Sequence, residues 1–338
     1  AVSATPVLQG DVPVYLMGLG SVAAFYTVQV RSQVDGRVDR VLFREGQEVR
    51  RGDLLAQIDP RPYEIGLHQA QAALARDVAQ LKNARLGLDR NKTLRERNLV
   101  AQQALDDAQS LVDQLEGVVL ADQAQVDNAN LQLTYTRITA PIDGRTGVRL
   151  IDPGNLVRAG DANGIVIIAQ MDPIAVLFTL PEDHLPEVMD EMSRRELEVE
   201  ALGRDGKVSY GRGTVTLVDN QINATTGTMR LKAVLANPRR VLWPNQFVKV
   251  RLHLRTLAGA LTVPAAVVQR GPQGTFAYII DADGRAAVRA LEVLTIVGET
   301  AVIAAGLSAG ERVVVEGQYQ LRPGSPVTVA PDATAADH

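Results

Sequence analysis

The sequence of this 338-residue chain carries one short motif twice, and the two copies lie 108 positions apart. Each copy has an Asp-Gly-Arg step followed by Gly-x-x-Val-Arg-x-Gly-Asp, at 35–53 and 143–161. The glycines that share this offset are Gly36, Gly46 and Gly52 in the first copy and Gly144, Gly154 and Gly160 in the second. Because glycine adopts positive φ without steric cost, these positions predict tight turns between short strands. The repeat therefore predicts two copies of one strand–turn–strand unit.

The repeat also constrains how the two copies pack. It resumes at 56–60 and 169–173 with Ala-Gln-x-Asp-Pro, after five extra residues in the second copy. Half of a β-sandwich cannot bury its own apolar face, so the two copies are expected to pack on each other. Such a two-fold sandwich is the architecture of lipoyl and biotinyl domains. The alternative is two unrelated hairpins that share similar turns.

A carrier of lipoate or biotin would need an exposed lysine at the tight turn between the two halves. That turn is replaced here by the segment 63–133, and neither half contains a lysine. Lys82 and Lys92 lie within the inserted segment. The sequence therefore disfavours a swinging-arm carrier and predicts no cofactor.

The inserted segment, 63–133, has the heptad spacing of an antiparallel α-helical hairpin. Apolar residues recur every seven positions, at Leu67, Leu74, Leu81 and Leu88 in the first arm and at Leu105, Val112, Val119, Val126 and Leu133 in the second. Pro60 and Pro62 precede the first arm and Pro141 follows the second, as expected at helix boundaries. Each arm of about thirty residues would span roughly 45–50 Å. We interpret this rod as a reaching or docking device.

The second heptad row is weaker than the first. Its members are Ala70, Asp77, Ala84 and Asn91 in one arm and Ala108, Leu115, Asp122 and Ala129 in the other. Two aspartates on this row predict a narrow seam that is less stable than an all-leucine zipper. We infer that the hairpin shares its flanks with copies of itself or with another helical protein. The alternative is a solvent-exposed coiled coil with a relaxed core.

The composition excludes several functional classes. The chain has no cysteine, which rules out disulfides, thiolate metal sites and a cysteine nucleophile. Its net charge is -4 and its aromatic content is 4%, so it lacks the basic field and the stacking rings of a nucleic-acid-binding protein. No GxSxG, GxGxxG or Walker pattern occurs, and the sequence therefore predicts no enzyme. No stretch approaches 18 consecutive apolar residues, so no membrane-spanning helix is predicted.

The histidines do not predict a metal site. They are His68, His184, His253 and His338, and none has the spacing of metal ligands. The nearest candidate combines His184 with Met189 and Met192, but we interpret the methionines as packing residues of a short helix.

From residue 173 onward the pattern becomes β-rich, and three stretches carry a family resemblance. They are Phe-Thr-Leu-Pro-Glu at 178–182, Asp-Asn-Gln-Ile through Thr-Thr-Gly-Thr at 219–228, and Pro-Asn-Gln-Phe at 244–247. With the split lipoyl motif and the heptad hairpin, they make the chain resemble the periplasmic adaptors, or membrane fusion proteins, of tripartite RND multidrug efflux pumps. The resemblance covers nearly the whole chain and is strongest to the MdtA branch of these HlyD/AcrA/MexA-like proteins.

The resemblance implies an elongated multidomain α+β protein, in which every domain except the hairpin consists of an outgoing and a returning segment. We predict a membrane-proximal β-domain at 1–27 and 258–330, a small β-barrel with one helix at 28–31 and 173–257, and a lipoyl-like β-sandwich domain at 32–62 and 134–172. The antiparallel coiled-coil hairpin at 63–133 and a disordered tail at 331–338 complete the prediction.

In this family the tip of the hairpin meets the outer-membrane channel through an Arg-x3-Leu-x6-Ser pattern. Arg90 and Leu94 match the pattern, and Ala101 stands in place of the serine. A small residue still lets helices approach closely, but one hydroxyl hydrogen bond, worth about 0.5–1.5 kcal/mol, is lost. The resemblance thus implies docking through Arg90, Leu94 and Ala101.

The resemblance also implies the partners and the location of the chain. It implies a non-catalytic adaptor, without cofactor or nucleic acid, that links an inner-membrane RND transporter to an outer-membrane channel of the TolC/OprM type. A ring of copies, hexameric by analogy, or a ring shared with a second adaptor is expected. The location would be the periplasm of a Gram-negative bacterium, in association with the inner membrane, and no signal or anchor is recognised at 1–6.

Two related functions stay open. One is the adaptor of a heavy-metal RND pump that also captures ions. The other is the adaptor of an ABC transporter or of a type I secretion system. Secretion adaptors generally have a transmembrane anchor and a longer hairpin, and neither is recognised in this sequence.

Overall fold

The computed structural model describes residues 2–272 and 274–328, so the tail predicted at 331–338 lies outside the described residues. The chain forms two compact units. The hairpin unit comprises Ala24–Pro173, and the barrel unit combines Ala1–Ala23 with Ile174–His338. The predicted classes of domain are confirmed, because the structure contains a helical hairpin, a sandwich, a barrel with a short α-helix and a further β-domain.

The described residues contain the α-helices α1 (Arg61–Glu96), α2 (Gln102–Tyr135) and α3 (Leu185–Arg194). The strands of the first half are β1 (Ser3–Pro6), β2 (Leu8–Ala24), β3 (Thr27–Val30), β4 (Gly36–Val41), β5 (Glu48–Val49), β6 (Leu54–Ile58), β7 (Arg137–Thr139), β8 (Gly144–Arg149), β9 (Leu156–Val157) and β10 (Val166–Ala169). Those of the second half are β11 (Ile174–Pro181), β12 (Glu198–Leu202), β13 (Ser209–Asn223), β14 (Thr228–Leu235), β15 (Phe247–Pro264), β16 (Gln269–Gly271), β17 (Gly274–Ile280), β18 (Ala286–Ala290), β19 (Glu292–Val297), β20 (Thr300–Ala305) and β21 (Arg312–Glu316).

In the hairpin unit the two copies of the motif exchange strands. One sheet has the order β3-β10-β8-β5 and the other β7-β6-β4-β9, so each sheet combines strands from both copies. The cross-copy partners are Gly36 with Val157, Arg37 with Leu156, Val49 with Gly144, and Glu48 with Arg145. Shifting the first two pairs by 108 positions turns them into the last two. The offset read from the sequence is therefore the two-fold symmetry of the sandwich.

Two aspartates repeat this exchange with their side chains. Asp35 Oδ1 accepts a hydrogen bond from the backbone N–H of Ala159 at 2.8 Å. Asp143 Oδ1 accepts one from the backbone N–H of Arg51 at 2.7 Å. Each carboxylate therefore fastens the Gly-Asp turn of the opposite copy. The enclosed core includes Val38, Leu55, Ile58, Val157, Val166 and Ile168.

The turn glycines follow the prediction only in part. Positive φ occurs at Gly36, Gly46, Gly52 and Gly154. Gly144 does not adopt it, but a Cβ there would lie 2.7 Å from the carbonyl oxygen of Ala169, so close strand approach requires the glycine. Gly160 has neither positive φ nor a crowding neighbour. The prediction of a positive-φ turn is therefore wrong for Gly144, whereas Gly160 lies in the turn at 159–160 without positive φ.

The hairpin packs along the heptad rows that the sequence predicts. Leu81, Leu88 and Val112 form its buried cluster, with Leu105 and Leu115 packed against it. Elsewhere the seam is thin: the other buried residues of the two helices are Ala70, Asp77 and Val126. The apolar burial that holds the hairpin together is thus concentrated in the half nearer the turn.

The seam also contains the two predicted aspartates. Asp77 is only 5% exposed, and its carboxylate accepts two hydrogen bonds, at 2.8 and 2.9 Å, from the neighbouring Arg76. This guanidinium holds the pKa of Asp77 below its usual range. On the facing helix, Asp122 Oδ2 is buried and finds no donor in the described part of the chain. Burial, followed by its contact with Asp77, raises the pKa of Asp122.

In the barrel unit six strands close a barrel. The strand order is β12-β13-β14-β11-β2-β15, and β12 pairs with β15 to close it, while β20 and β19 extend the sheet beyond β15. Its core includes Ile174, Phe178, Leu180, Leu231, Leu235 and Leu252, and Val188 of α3 is buried against them. A second, five-stranded sheet of β1, β21, β17, β16 and β18 forms the remaining β-domain around Val267, Ala277 and Val313.

The structure corrects one strand of the predicted barrel. Residues 28–31 were assigned to it, but β3 pairs with β10, and Val30 is buried in the sandwich core. The barrel takes β2 instead, whose residues 13–21 pair with 247–256 of β15. Gly20 makes this possible, since a Cβ there would lie 2.7 Å from the carbonyl oxygen of Leu177 on the neighbouring strand. The predicted membrane-proximal segment 1–27 is therefore also wrong for residues 13–21.

We predict that Asp35→Ala and Asp143→Ala each destabilise the sandwich by about 1 kcal/mol, because each leaves an amide of the opposite copy without its acceptor. Hydrogen exchange of the amides in β4–β6 and β8–β10 measures the effect as a lower free energy of local opening. Asp39→Ala is the matched control, since Asp39 forms only an exposed ion pair with Arg40. An equal loss of stability in the control would contradict a specific role for the hydrogen bonds that Asp35 and Asp143 make to the opposite copy.

We predict that Asp122→Asn raises the melting temperature of the helices at neutral pH. The folded state binds a proton at Asp122 more readily than the unfolded chain, so the stability of the wild type should rise as pH falls from neutral toward about 4. The pKa of Asp77 is lowered, so the stability that its ionised carboxylate contributes is kept over this pH interval and is lost only at lower pH. Thermal unfolding followed at 222 nm should therefore show this rise in the wild type and in the control Asp127→Asn, but a flatter profile in Asp122→Asn.

Candidate docking site at the hairpin tip

The tip of the hairpin is a five-residue connection, 97–101, between α1 and α2. Asn98 has φ +57, the left-handed conformation that commonly ends a helix and that asparagine tolerates. The backbone N–H groups of Asn98 and Leu99 donate to the carbonyl oxygens of Arg95 and Leu94, at 2.9 and 3.0 Å. These bonds satisfy the last carbonyls of α1 and turn the chain back.

Side chains fasten the returning segment to both helices. Arg95 Nε donates to Gln102 Oε1 at 3.3 Å, and its Nη1 donates to the carbonyl oxygen of Val100 at 3.4 Å. One turn earlier, Asn91 Nδ2 donates to the carbonyl oxygen of Ala104 at 3.4 Å. The tip is therefore held by its own polar groups, and Arg95 and Asn98 were not singled out in the sequence. The left-handed tolerance of asparagine was the signal available for Asn98.

The residues of the predicted docking pattern are all at the surface of this tip. Arg90 is exposed and Leu94 is 36% exposed, and they lie one turn apart on one face of α1. Ala101 is exposed at the beginning of α2. Leu99, which the sequence analysis did not single out, is 67% exposed in the connection. The structure thus places two of the three residues on one helix face and the third across the turn.

The charge of the tip is positive. Between 89 and 101 the chain has the basic residues Arg90, Lys92, Arg95 and Arg97 against the acids Asp89 and Glu96. Exposed leucines beside these cations form a small mixed surface rather than a pocket. Such a surface can dock on a protein that offers apolar contacts and acceptor groups, and charge complementarity would set its orientation.

Ala101 has a second role in the structure. It is the N-cap residue of α2, with extended backbone at φ -67 and ψ 153, and no side-chain hydrogen bond caps this helix. Serine is a favoured N-cap because its hydroxyl accepts a hydrogen bond from the first helical amides. The hydroxyl that is absent here is therefore one that would also stabilise α2.

The described residues give no indication of a metal site. Within residues 2–272 and 274–328, no group of three or more histidine, aspartate or glutamate side chains could hold a metal ion. Met192 packs against the barrel core, as interpreted from the sequence, but Met189 is exposed. None of the helices in these ranges is long and apolar enough to span a bilayer.

Three known domain families match successive segments of this chain. Residues 26–169 match the barrel-sandwich hybrid domain of RND membrane fusion proteins. Residues 173–256 match the β-barrel domain of these proteins, and residues 259–320 match their C-terminal permuted SH3 domain. The three matches follow one another along the chain with short gaps.

Individual proteins agree with the domain matches. The chain is 45% identical over 334 residues to the multidrug resistance protein MdtA of Proteus mirabilis, covering 97% of this chain and 81% of the relative. It is also 45% identical to MdtA of Yersinia pseudotuberculosis, covering 99% and 76%. Among solved structures, a MacA–MexA chimera with the Pseudomonas aeruginosa MexA hairpin is similar, with a TM-score of 0.65, 25% identity and coverage of 92% and 100%. MacA from Actinobacillus actinomycetemcomitans shares the fold, with a TM-score of 0.64, 21% identity and coverage of 93% and 99%.

The sandwich, the hairpin and the barrel occur here in the order of one family, and both sequence and structure match it over nearly the full chain. This chain belongs to the RND membrane fusion proteins, the non-catalytic periplasmic adaptors of RND efflux systems.

Proposed function

We propose that this chain is the adaptor of a tripartite multidrug efflux pump, and that the tip of its hairpin docks on an outer-membrane channel of the TolC/OprM type. Membership of the family implies an inner-membrane RND transporter and an outer-membrane channel as partners. The multidrug assignment is supported by the 45% identity to MdtA proteins.

One observation carries the docking proposal. Arg90 and Leu94 lie together on an exposed face at the far end of α1, a helix of 36 residues. At 1.5 Å per residue, this helix carries the tip roughly 50 Å away from the sandwich that holds its other end. An exposed arginine and leucine at the end of such a rod are placed to contact a distant partner. On the same helix Leu81 and Leu88, which precede these residues, are instead buried against α2.

The proposal includes an assembly and a location. Copies of the chain form a ring, of six by family analogy or in alternation with a second adaptor, and this ring lines a conduit between the two membranes. The chain acts in the periplasm of a Gram-negative bacterium, at the inner membrane. In this arrangement its role is to seal the conduit and to transmit motion of the transporter, without chemical catalysis.

We predict that Arg90→Glu and Leu94→Ala each weaken binding of the full chain to the channel by about tenfold, because a docking contact worth roughly 1–2 kcal/mol is lost. Drug efflux restored in a strain lacking its own adaptor, together with cross-linking to the channel, measures the effect. Lys82→Glu and Leu86→Ala are matched controls, since both residues are exposed on α1 two turns or more before the tip. Unchanged efflux and cross-linking in both tip variants would contradict docking at this site.

We predict that Ala101→Ser stabilises the hairpin by about 1 kcal/mol, because serine caps α2 where alanine cannot. Thermal unfolding followed at 222 nm measures this gain in the absence of any channel. Ala101→Val is the control, since valine is as poor an N-cap as alanine and should give no gain. If serine and valine behave alike, position 101 does not act as a cap in solution. Channel binding of the serine variant then separates a docking contribution of the hydroxyl from its effect on stability.

A further inference from the structure

The two ends of the six-stranded barrel carry opposite charge. We call the end covered by α3 the acidic end and define it by residues 182–198. This segment contains seven carboxylates, at Glu182, Asp183, Glu187, Asp190, Glu191, Glu196 and Glu198, against the two arginines Arg194 and Arg195. Both arginines are already engaged, with Asp190 at 2.9 Å and with Glu191 at 3.5 Å. The acidic end therefore keeps an excess of carboxylates that face solvent.

The other end of the barrel is basic. We define the basic end by residues 203–207 and 239–249, together with Leu19 and Gly20 of β2. Its cations are Arg204, Lys207, Arg239, Arg240 and Lys249, and the single carboxylate in the two segments is Asp205. The guanidinium carbon of Arg204 lies 5.9 Å from the centre of the Phe247 ring, within the range of a cation–π contact. This contact holds a positive charge beside an exposed aromatic ring.

A hollow opens between the side chains of the basic end. It has a volume of about 270 Å³ and is lined by Leu19, Gly20, Arg204, Phe247, Val248 and Lys249. Leu19 is 70% exposed and Phe247 is 66% exposed, although both belong to paired strands. Large apolar side chains that flank a hollow and are rimmed by cations mark a place for an apolar side chain carried by an acidic segment.

The acidic end presents such a side chain. Met189 is 51% exposed on α3, while Val188 beside it is buried against the barrel core and fixes the orientation of the helix. Glu187 and Asp190 are exposed on the same short helix. A flexible methionine adapts to an irregular apolar hollow. The helix therefore presents an apolar side chain surrounded by carboxylates. It complements the basic end in shape, because the methionine matches the hollow, and in charge, because the carboxylates match the cations.

The two ends of one barrel cannot reach each other. On strand β15, Phe247 lies at the basic end and Leu254 at the acidic end, where the Leu254 carbonyl oxygen accepts a hydrogen bond from Arg195 next to α3. Seven residues of extended strand separate these ends by about 23 Å. A contact between these complementary surfaces can therefore form only between different molecules, as a head-to-tail contact that repeats from copy to copy and can close a ring.

From the charge, the hollow and the exposed methionine, we propose that the basic end of one copy of this chain receives α3 of the next copy, with Met189 in the hollow between Leu19 and Phe247. Arg204 and Lys249 then lie opposite Glu187 and Asp190. The proposal rests on the ring assembly given under the proposed function and names the surfaces that build it. It accounts for a cationic and an acidic end on a domain whose chain as a whole is nearly neutral, with 35 basic and 39 acidic residues.

The test uses the full chain and two charge-reversed variants. Arg204→Glu with Lys249→Glu reverses the basic end, and Glu187→Lys with Asp190→Lys reverses the acidic end. Sedimentation velocity over a range of protein concentrations, at about 50 mM and about 500 mM salt, measures self-association. Arg270→Glu with Arg322→Glu is the control for charge reversal, because both arginines are exposed elsewhere in the barrel unit. Circular dichroism confirms that each variant is folded.

We expect the wild type and the control to associate, more strongly at low salt, and each barrel variant alone to associate at least tenfold more weakly. An equimolar mixture of the two variants should recover association, because every reversed surface then meets its complement on the other chain. Met189→Ala should weaken association without changing its salt dependence. Recovery in the mixture cannot arise from misfolding, so it separates a lost interface from a damaged fold.

Several results would overturn the proposal. Wild-type chain that stays monomeric at every concentration, variants that associate like the wild type, or a mixture that shows no recovery would each do so. If the reversed basic end instead loses capture of the RND transporter while self-association persists, this end belongs to the transporter contact. Failure of the proposed function looks different: the wild-type chain would then co-purify with neither transporter nor channel, whatever the charge reversals do.

Discussion

The fold depends on hydrogen bonds between strands that lie 95 to 121 positions apart in the sequence, as between Val49 and Gly144 and between Gly36 and Val157. Neither copy of the motif can complete a sheet alone, so the intervening chain must leave the sandwich and return to it. An antiparallel pair of helices does this while satisfying its backbone groups internally. The sandwich also anchors the helices at their base: Gln57 Nε2 donates to the carbonyl oxygen of Thr136 at 3.2 Å, and the Tyr63 hydroxyl donates to that of Asp35 at 2.6 Å.

The hairpin built on this base is not optimised for its own stability. Its apolar cluster is small, and Asp77 and Asp122 interrupt the seam where a leucine pair would be more stable. Buried polar groups of this kind are costly unless they are fully paired. The tip, by contrast, is fastened by Arg95, Asn98 and their backbone partners. A hairpin with a hydrogen-bonded tip and a weakly packed seam is consistent with a protein that acts by contacting partners.

Much of this architecture is readable in the sequence, and the reasons are local. The 108-residue offset can be recognised because the repeated turns require particular residues at fixed positions, such as the positive-φ glycines Gly36 and Gly52. The heptad rows can be recognised because residues on one face of a helix recur at a fixed spacing in the sequence. Sequence reasoning failed where the choice was not local. The sequence at 28–31 is equally compatible with a strand of the barrel and a strand of the sandwich. Only its pairing with β10 assigns it to the sandwich. Gly144 has no left-handed turn to reveal it, because its need arises from Ala169 on another strand.

By itself, then, the sequence determined the duplicated sandwich, the hairpin between its halves and the positions of Arg90, Leu94 and Ala101 along the chain. Periodicity and turn chemistry are encoded within a few residues, so they can be read directly. Only the tertiary structure decided that Ala101 is the N-cap residue of α2 and that one carboxylate oxygen of Asp122 is buried without a hydrogen-bond partner. It also decided that seven carboxylates and a cation-rimmed hollow lie at opposite ends of one barrel. Those features come from strand order and barrel closure, which bring together residues from β2, β12 and β15 that no local pattern connects.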